Sequence, residues 1–186
     1  MGQYYKPLIL NKEGKIEKSF YPHEYIQGLK MMEHSYFRNP LMNAVENTLI
    51  DNPGRLIWAG DYSDKDADGT GNNHYFVEGK NHATRVEPSN ELMRDLPDGL
   101  FVYNNTKKEY YSRDKMKTLN CREDEDVVWS VNPLSLLTQL TDDESGGDYH
   151  GTLGREFLGR WAEDEIEISA VPRGDDYKEI IPRFRA

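Results

Sequence analysis

The sequence predicts an α+β fold, with a mostly antiparallel mixed sheet, one or two packed helices and long polar loops. Short apolar or alternating segments outnumber helical patterns, and turn sequences join neighbouring segments as hairpins. Acidic and Gly-rich stretches separate these segments. At 186 residues the chain has the length of one domain, which we place at 1–186.

Hairpins account for most of the predicted strands. The turn Asn11-Lys12-Glu13-Gly14 joins the first two segments, and residues 104–108 join a later pair. Residues 165–171 alternate apolar and polar side chains, which predicts a half-buried strand, whereas residues 127–131 are apolar and predict a buried one. Strands are predicted over residues 4–10, 15–20, 55–59, 74–77, 100–103, 109–112, 127–131 and 165–171.

One helix is clearly indicated after Asn39. Asn39 is a good N-cap, Pro40 suits the first helical position, and Asn52-Pro53-Gly54 ends the pattern. Leu41, Val45 and Leu49 then share one face. Shorter helical segments are predicted over residues 24–32, 91–96 and 133–140.

Charge restricts the possible partners. The chain carries 33 acidic and 23 basic residues, a net charge of -10, which disfavours direct binding of nucleic acid or of anionic membranes. No apolar run approaches a membrane span, and the first residues lack a signal-peptide pattern. Cys121 is the only cysteine, so we expect a free thiol in a reducing cytoplasm.

Two acidic clusters are candidate binding surfaces: Glu123-Asp124-Glu125-Asp126 and Asp142-Asp143-Glu144. The simpler interpretation is that they are solvated loops that keep the protein soluble. The alternative is that they engage a basic groove on another protein, for example a groove that normally holds nucleic acid.

A tryptophan motif occurs twice, as Trp58-Ala59-Gly60-Asp61 at the end of one apolar run and as Trp161-Ala162-Glu163-Asp164 at the start of another. Each Trp could anchor the end of a strand while the Asp caps the turn. Alternatively, Trp58 and Trp161 could shape a ligand pocket.

Candidate catalytic and metal-binding residues are sparse. His34, Asp61 and Asp148 could form an acid–base site, although a hydrogen-bonded structural histidine is the alternative for His34. Asp64, Asp66 and Asp68, followed by a glycine, match the first half of a calcium loop. The twelfth place holds Tyr75 instead of glutamate, so a solvated loop is the alternative. Apart from this candidate calcium loop, no cofactor is expected.

Several motifs together resemble a group of uncharacterised proteins from bacteriophages, prophages and gut bacteria. They are the start Met1-Gly2-Gln3-Tyr4-Tyr5-Lys6, the segment Gly28 to Tyr36, Asn43-Ala44-Val45-Glu46-Asn47, Trp58-Ala59-Gly60-Asp61-Tyr62, Asn132 to Thr138, Gly146-Gly147-Asp148-Tyr149 and Trp161-Ala162. They reach both ends of the chain. The resemblance implies an accessory protein of phage type and names no mechanism.

We therefore expect a phage-type protein that binds and inhibits a host defence component in the host cytoplasm. A nucleic-acid-guided nuclease is the expected target, as for anti-CRISPR proteins, because clustered acids can imitate phosphate. The alternative is a small hydrolase or ligand-binding enzyme with a cleft around His34, Asp61 and Asp148. The sequence leaves the oligomeric state open.

Overall fold

The computed structural model describes residues 3–62, 73–77, 83–124, 127–140 and 149–185. In this part of the chain, nine strands form one mixed sheet and two more form a separate antiparallel hairpin. Most strand pairings are antiparallel, so the predicted α+β class is confirmed. None of the helices in the described ranges is long and apolar enough to cross a membrane.

The elements in chain order have the following bounds. The strands are β1 Tyr5–Leu10, β2 Ile16–Ser19, β3 Gly54–Gly60, β4 Thr84–Arg85, β5 Phe101–Asn104, β6 Glu109–Ser112, β7 Cys121–Asp124, β8 Val127–Ser130, β9 Gln139–Leu140, β10 Glu165–Ser169 and β11 Lys178–Glu179. The helices are α1 Met31–His34, α2 Pro40–Thr48, α3 His74–Val77, α4 Arg113–Leu119 and α5 Pro133–Leu137, with short 3-10 turns at Pro22–Tyr25 and Arg155–Phe157.

Strand β3 lies at the centre of the large sheet. The strand order is β11-β6-β5-β10-β3-β1-β2-β4, and β9 also pairs with β3. Antiparallel pairing with β1 extends along the whole of that strand, from Leu10 opposite Arg55 to Tyr5 opposite Gly60. β10 pairs with the start of β3 and β9 runs parallel to its end. This central strand therefore connects every region of the sheet.

Both faces of β3 are buried. Leu56 and Trp58 face the larger core, whereas Ile57 and Ala59 face a smaller core that also contains Leu8 from β1. A strand covered on both faces reads as a continuous apolar run, which matches the sequence of β3.

Helix α2 forms where the sequence predicts it. The Asn39 side-chain oxygen accepts hydrogen bonds from the backbone N–H groups of Leu41 at 2.9 Å and Met42 at 3.3 Å. This satisfies two amide donors that the first turn leaves without helical partners. Leu41 and Val45 on its inner face are fully buried.

Local predictions differ from the structure in several places. Residues 133–140 are not helical throughout, since α5 ends at Leu137 and Gln139–Leu140 form β9. Residues 24–32 do not form one helix, because Ile26 adopts a left-handed conformation with φ 58° and Gly28 packs against Glu33. Residues 74–77 are helical instead of extended, since Asn73 accepts a hydrogen bond from the N–H of Tyr75 at 2.8 Å. Helix α4 was not predicted, and Ser112 caps it through the N–H of Lys115.

A buried ion pair joins α2 to α4. The guanidinium of Arg113 donates to the Glu46 carboxylate at 3.1 and 3.2 Å, and both side chains are inaccessible to solvent. Asn132 donates a further bond to Glu46 at 2.9 Å. The guanidinium also lies 5.1 Å from the centre of the Phe37 ring, a cation–π distance.

Removing one partner of this pair should destabilise the fold strongly. Arg113→Met leaves the Glu46 carboxylate buried with Asn132 as its remaining hydrogen-bond donor, a change that costs about 3–5 kcal/mol of unfolding free energy in comparable pairs. Urea unfolding measures this loss. Lys115→Met is the control, because the exposed Lys115–Glu179 pair is worth about 1 kcal/mol or less. Equal losses of unfolding free energy in Arg113→Met and Lys115→Met would contradict the role given to the buried ion pair.

Candidate functional site

His34 is locked between two fixed partners. The indole N–H of Trp58 donates to its Nε2 at 2.9 Å, and its Nδ1 lies 2.9 Å from the Gly28 carbonyl oxygen. Since an indole N–H can only donate, Nε2 accepts and the proton lies on Nδ1, which donates to the carbonyl. The two rings also stack, with centroids 6.1 Å apart.

Burial keeps this imidazole neutral. His34 is fully buried, and desolvation lowers its pKa from 6.5 to about 4, although the hydrogen bond to the Gly28 carbonyl and the nearby Glu33 charge act in the opposite direction. Both ring nitrogens are occupied, so neither is available to take a proton from a substrate. The geometry gives His34 a structural role.

Asp61 completes the end of a strand pair. Its side chain accepts from the backbone N–H of Tyr4 at 3.0 Å, and its own N–H donates to the Tyr4 carbonyl at 3.0 Å. Asp148, the third residue of the proposed acid–base site, lies outside the described residues. Of the three, the structure therefore places His34 and Asp61, each in hydrogen bonds that hold the fold.

The second tryptophan motif also organises the sheet. The Trp161 N–H donates to Glu109 at 2.8 Å, and the ring stacks on Tyr111 with centroids 5.7 Å apart. Arg160 also bonds to Glu109 and holds the pKa of this carboxyl below its usual value. Asp164 accepts from Asn104 at 2.8 Å and so fixes the β5–β6 hairpin.

Trp58 and Trp161 thus anchor strands. Both indoles are completely inaccessible to solvent, so the structure puts neither of them on a surface that a ligand could contact. The binding role of these residues stays a prediction from the sequence, and the observed contacts are those of the alternative, in which each Trp anchors the end of a strand.

The first acidic cluster lies at one end of the β7–β8 hairpin. In the strand register, Glu123 is opposite Val128 and Asp124 is opposite Val127. Glu125 and Asp126 lie outside the described residues, as does the whole second cluster of Asp142, Asp143 and Glu144.

The proposed calcium ligands Asp64, Asp66 and Asp68 also lie outside the described residues. In the ranges that the structure covers, no group of three or more His, Cys, Asp or Glu side chains is arranged to hold a metal ion. The calcium loop stays a prediction from the sequence.

A cleft opens beside the hairpin, and we call it the aromatic cleft. Trp129 is 46% exposed and meets Tyr36 edge to face, with ring centroids 5.0 Å apart. The cleft has a volume of about 360 Å³. Its walls include Met32, Glu33, Tyr36, Arg122, Trp129 and Val131.

The base of the hairpin is held rigidly beside this cleft. The Ser130 hydroxyl donates to the Lys117 carbonyl in α4 at 2.6 Å, and the Phe37 N–H donates to the Ser130 carbonyl at 3.0 Å. A β-bridge joins Tyr36 to Val131. These bonds fix the position of Trp129 relative to Tyr36.

A second cleft, the basic cleft, adjoins the first at Arg122. Its volume is about 970 Å³. Among the described residues that line it are two arginines, and none of these described residues is acidic. The side chains that line it include Thr118, Cys121, Arg122, His150, Thr152 and Arg185.

Sequence reasoning missed both clefts. Trp129 belongs to an apolar run that predicts a buried strand, yet its ring is nearly half exposed. Its contacts with Tyr36 join residues that are remote in sequence, and a single chain carries no pattern for such pairing. The sequence feature that could have pointed to this region was Arg122, a cationic residue directly before an acidic cluster.

No protein-family model, curated protein or solved structure matches this chain. The resemblance to phage and prophage proteins therefore stays a prediction from sequence motifs. The function has to be inferred from the clefts and surfaces of the molecule itself.

The buried His34 should make the fold sensitive to acid. Between pH 6.5 and about 4 the unfolded chain takes up a proton at His34 that the folded chain does not, so stability falls as pH falls through this range. The full loss is about 3 kcal/mol. Chemical denaturation at a series of pH values measures it.

A pair of variants isolates the contribution of His34. In His34→Gln the additional loss between pH 6.5 and 4 should disappear, although the variant is less stable at neutral pH. His23→Gln, at an exposed position, should keep the wild-type profile. If His34→Gln retained the full acid-dependent loss, the histidine would not be held neutral by burial.

Proposed function

We propose that this protein binds a host defence protein and inhibits it, with a nucleic-acid-guided nuclease as the target and acidic residues as the contact surface. In this proposal it acts as an anti-CRISPR-like inhibitor. The observation that carries the proposal is the β7–β8 hairpin, which is separate from the main sheet and begins the acidic cluster at its end.

The hairpin combines two features of protein interfaces. Interfaces commonly have an aromatic anchor near the centre and charged groups at the rim. Trp129 supplies an exposed aromatic ring, and Glu123 and Asp124 begin the acidic cluster on the paired strand. The bonds from Ser130 and Phe37 hold the base of the hairpin in place, which lowers the entropy lost on binding.

Charge complementarity favours a basic partner. A surface that normally holds a phosphate backbone is lined with Lys and Arg, and a protein of net charge -10 is attracted to it over long range. A catalytic alternative around His34 has no comparable support, because that imidazole is buried and both of its nitrogens are occupied.

The charge of the hairpin should control affinity for the target. The double substitution Glu123→Lys with Asp124→Lys should weaken binding to a guided nuclease by about ten-fold or more, and it should raise the nuclease activity measured in the presence of this protein. Biolayer interferometry against a panel of purified guided nucleases, at low and at physiological salt, measures the affinity.

The matched control is Glu87→Lys with Glu91→Lys, the same charge change at exposed positions outside the hairpin. At physiological salt, where long-range charge effects are screened, the control should bind the nuclease with the affinity of the wild type. Absence of binding to every nuclease of the panel at low salt would refute the proposal. Equal losses in both double variants would refute the role of the hairpin and leave only a general charge effect.

A further inference from the structure

One edge of the β7–β8 hairpin has no strand beside it. In the described part of the chain, β7 pairs with β8 alone, and the two form a sheet of their own. The edge of β8 is closed at its base, because the Ser130 carbonyl accepts from the Phe37 N–H at 3.0 Å. Tyr36 also forms a β-bridge with Val131 on this side. The edge of β7 is therefore the side on which a further strand can add.

The pattern of hydrogen bonds in the hairpin shows which backbone groups of β7 point away from β8. In an antiparallel pair, residues that bond to the partner strand alternate with residues whose N–H and C=O point to the opposite side. The Ser130 carbonyl bonds to the segment on the far side of β8, so Ser130 and the residue opposite it, Cys121, make no bonds to each other. The N–H and C=O groups of Cys121 and Glu123 are thus directed outwards. Those of Arg122 and Asp124 are directed at β8.

The outward groups are a template for an added strand. In the ranges that the structure covers, no other strand or loop donates to or accepts from the backbone of Cys121 or Glu123 on this side. Proteins usually blunt such an edge with charged residues, which select against unwanted strands. β7 runs into the acidic cluster at Glu123 and Asp124, so its edge repels an acidic strand and attracts a basic one.

The basic cleft provides room for a strand beside β7. Its described walls include Cys121 from β7 and the loop at residues 150–153, and no residue of β8 is among them. The cleft therefore lies on the free side of β7, and its volume is about 970 Å³. Leu153 lines the cleft and is 43% exposed, so it offers an apolar contact to a side chain of the added strand.

Both walls of the cleft are held in place before a partner arrives. The Tyr149 hydroxyl donates to the Leu153 carbonyl at 2.6 Å and accepts from the Arg185 N–H at 3.0 Å. The side-chain amide of Asn120, directly before β7, donates to the Pro182 carbonyl at 3.3 Å. Because the loop and the start of β7 are each tied to the C-terminal segment, the width of the cleft is set in advance, which lowers the entropy lost on binding.

The charges of the surrounding chain favour a cationic partner. The segments that run through β7 and through the opposite loop, residues 121–126 and 141–155, contain eight acidic residues and two arginines. The C-terminal segment adds Arg183 and Arg185, so the acids still outnumber the arginines by two to one. A strand rich in lysine or arginine is attracted to such a region, whereas an acidic strand, including β7 of a second copy, is repelled.

We propose that the free edge of β7 binds an extended, basic segment of the target protein, which adds to the hairpin as a third strand. The outward groups of Cys121 and Glu123 form the main-chain hydrogen bonds, and the acidic cluster provides the charge complementarity. The identity of the partner rests on the proposed function, whereas the strand edge itself can be tested without any nuclease.

The probe is a short capped peptide of alternating lysine and threonine, added to the full-length chain and followed by NMR hydrogen exchange of the amides in β7. The amides of Cys121 and Glu123 should exchange rapidly in the free protein and about ten-fold more slowly with saturating peptide, because they then donate to carbonyls of the peptide. The amides of Arg122 and Asp124, which are directed at β8 already, should change less. Protection that alternates along the strand is the signature of strand addition.

Two control peptides separate main-chain pairing from charge attraction. The same peptide with methylated backbone nitrogens keeps its charge but cannot donate to the carbonyls of β7, so it should bind about ten-fold more weakly. The peptide with glutamate in place of lysine should not bind at physiological salt. The thiol of Cys121, which is partly exposed and lines the cleft, gives a second readout, because bound peptide should slow its reaction with a neutral maleimide.

Two substitutions at one position test the same edge in the complex with the nuclease. Glu123→Pro removes an outward N–H and leaves the bonds between β7 and β8 in place, whereas Glu123→Ala removes the same charge and keeps the N–H. Glu123→Pro should bind both the basic peptide and the nuclease about five-fold more weakly than Glu123→Ala, the size expected for one lost hydrogen bond. Circular dichroism and the exchange rates of the amides in β7 show whether each variant is folded. If Glu123→Pro is not folded, the three peptides with the wild-type chain decide the question.

The outcomes distinguish a failure of strand addition from a failure of the proposed function. Peptide binding with alternating protection, but no binding to any nuclease, would support the strand edge and remove the nuclease as its partner. Equal affinity of Glu123→Pro and Glu123→Ala for the nuclease would overturn strand addition and leave the acidic contact surface. Strand addition would also be overturned by no binding of the basic peptide, by equal binding of the methylated peptide, or by a dimer of this chain in sedimentation that Glu123→Pro disrupts.

Discussion

The hydrogen bond from Trp58 to His34 is the interaction on which much of this fold depends. An indole N–H buried in the middle of a sheet needs an acceptor, because an unsatisfied donor there costs about 1–3 kcal/mol. His34 can accept only while it is neutral, and the Gly28 carbonyl fixes its tautomer. The short helix α1 is thereby held against the central strand, next to the wall of the aromatic cleft.

A second buried polar cluster acts in the same way and leads towards the clefts. Glu46 accepts from Arg113 and Asn132, which joins α2, α4 and the segment that follows the hairpin. Asn132 also donates its backbone N–H to the Ser35 carbonyl. Since Ser35 and Asn132 lie directly beside the bridged pair Tyr36 and Val131, the packing of the core sets the geometry of the cleft wall.

Local signals in the sequence were sufficient for the parts of the fold that depend on neighbours in the chain. The cap at Asn39 and the turns of the two hairpins are of this kind, and the structure has them. Residues 74–77 were predicted to form a strand but are helical, because a cap at Asn73 outweighs strand propensity in this four-residue segment. The partner of Trp58 and the exposure of Trp129 depend on contacts with remote residues, which pattern and propensity do not encode.

The hairpin separates charge along one short strand. Cys121 and Arg122 lie at its fixed base, beside the cationic wall, whereas Glu123 and Asp124 lie at the opposite end. A two-stranded hairpin has little stability of its own, so its order comes from the bonds at its base. The contacts that α4 and the Phe37 segment make with Ser130 therefore decide how firmly Trp129 and the start of the acidic cluster are positioned.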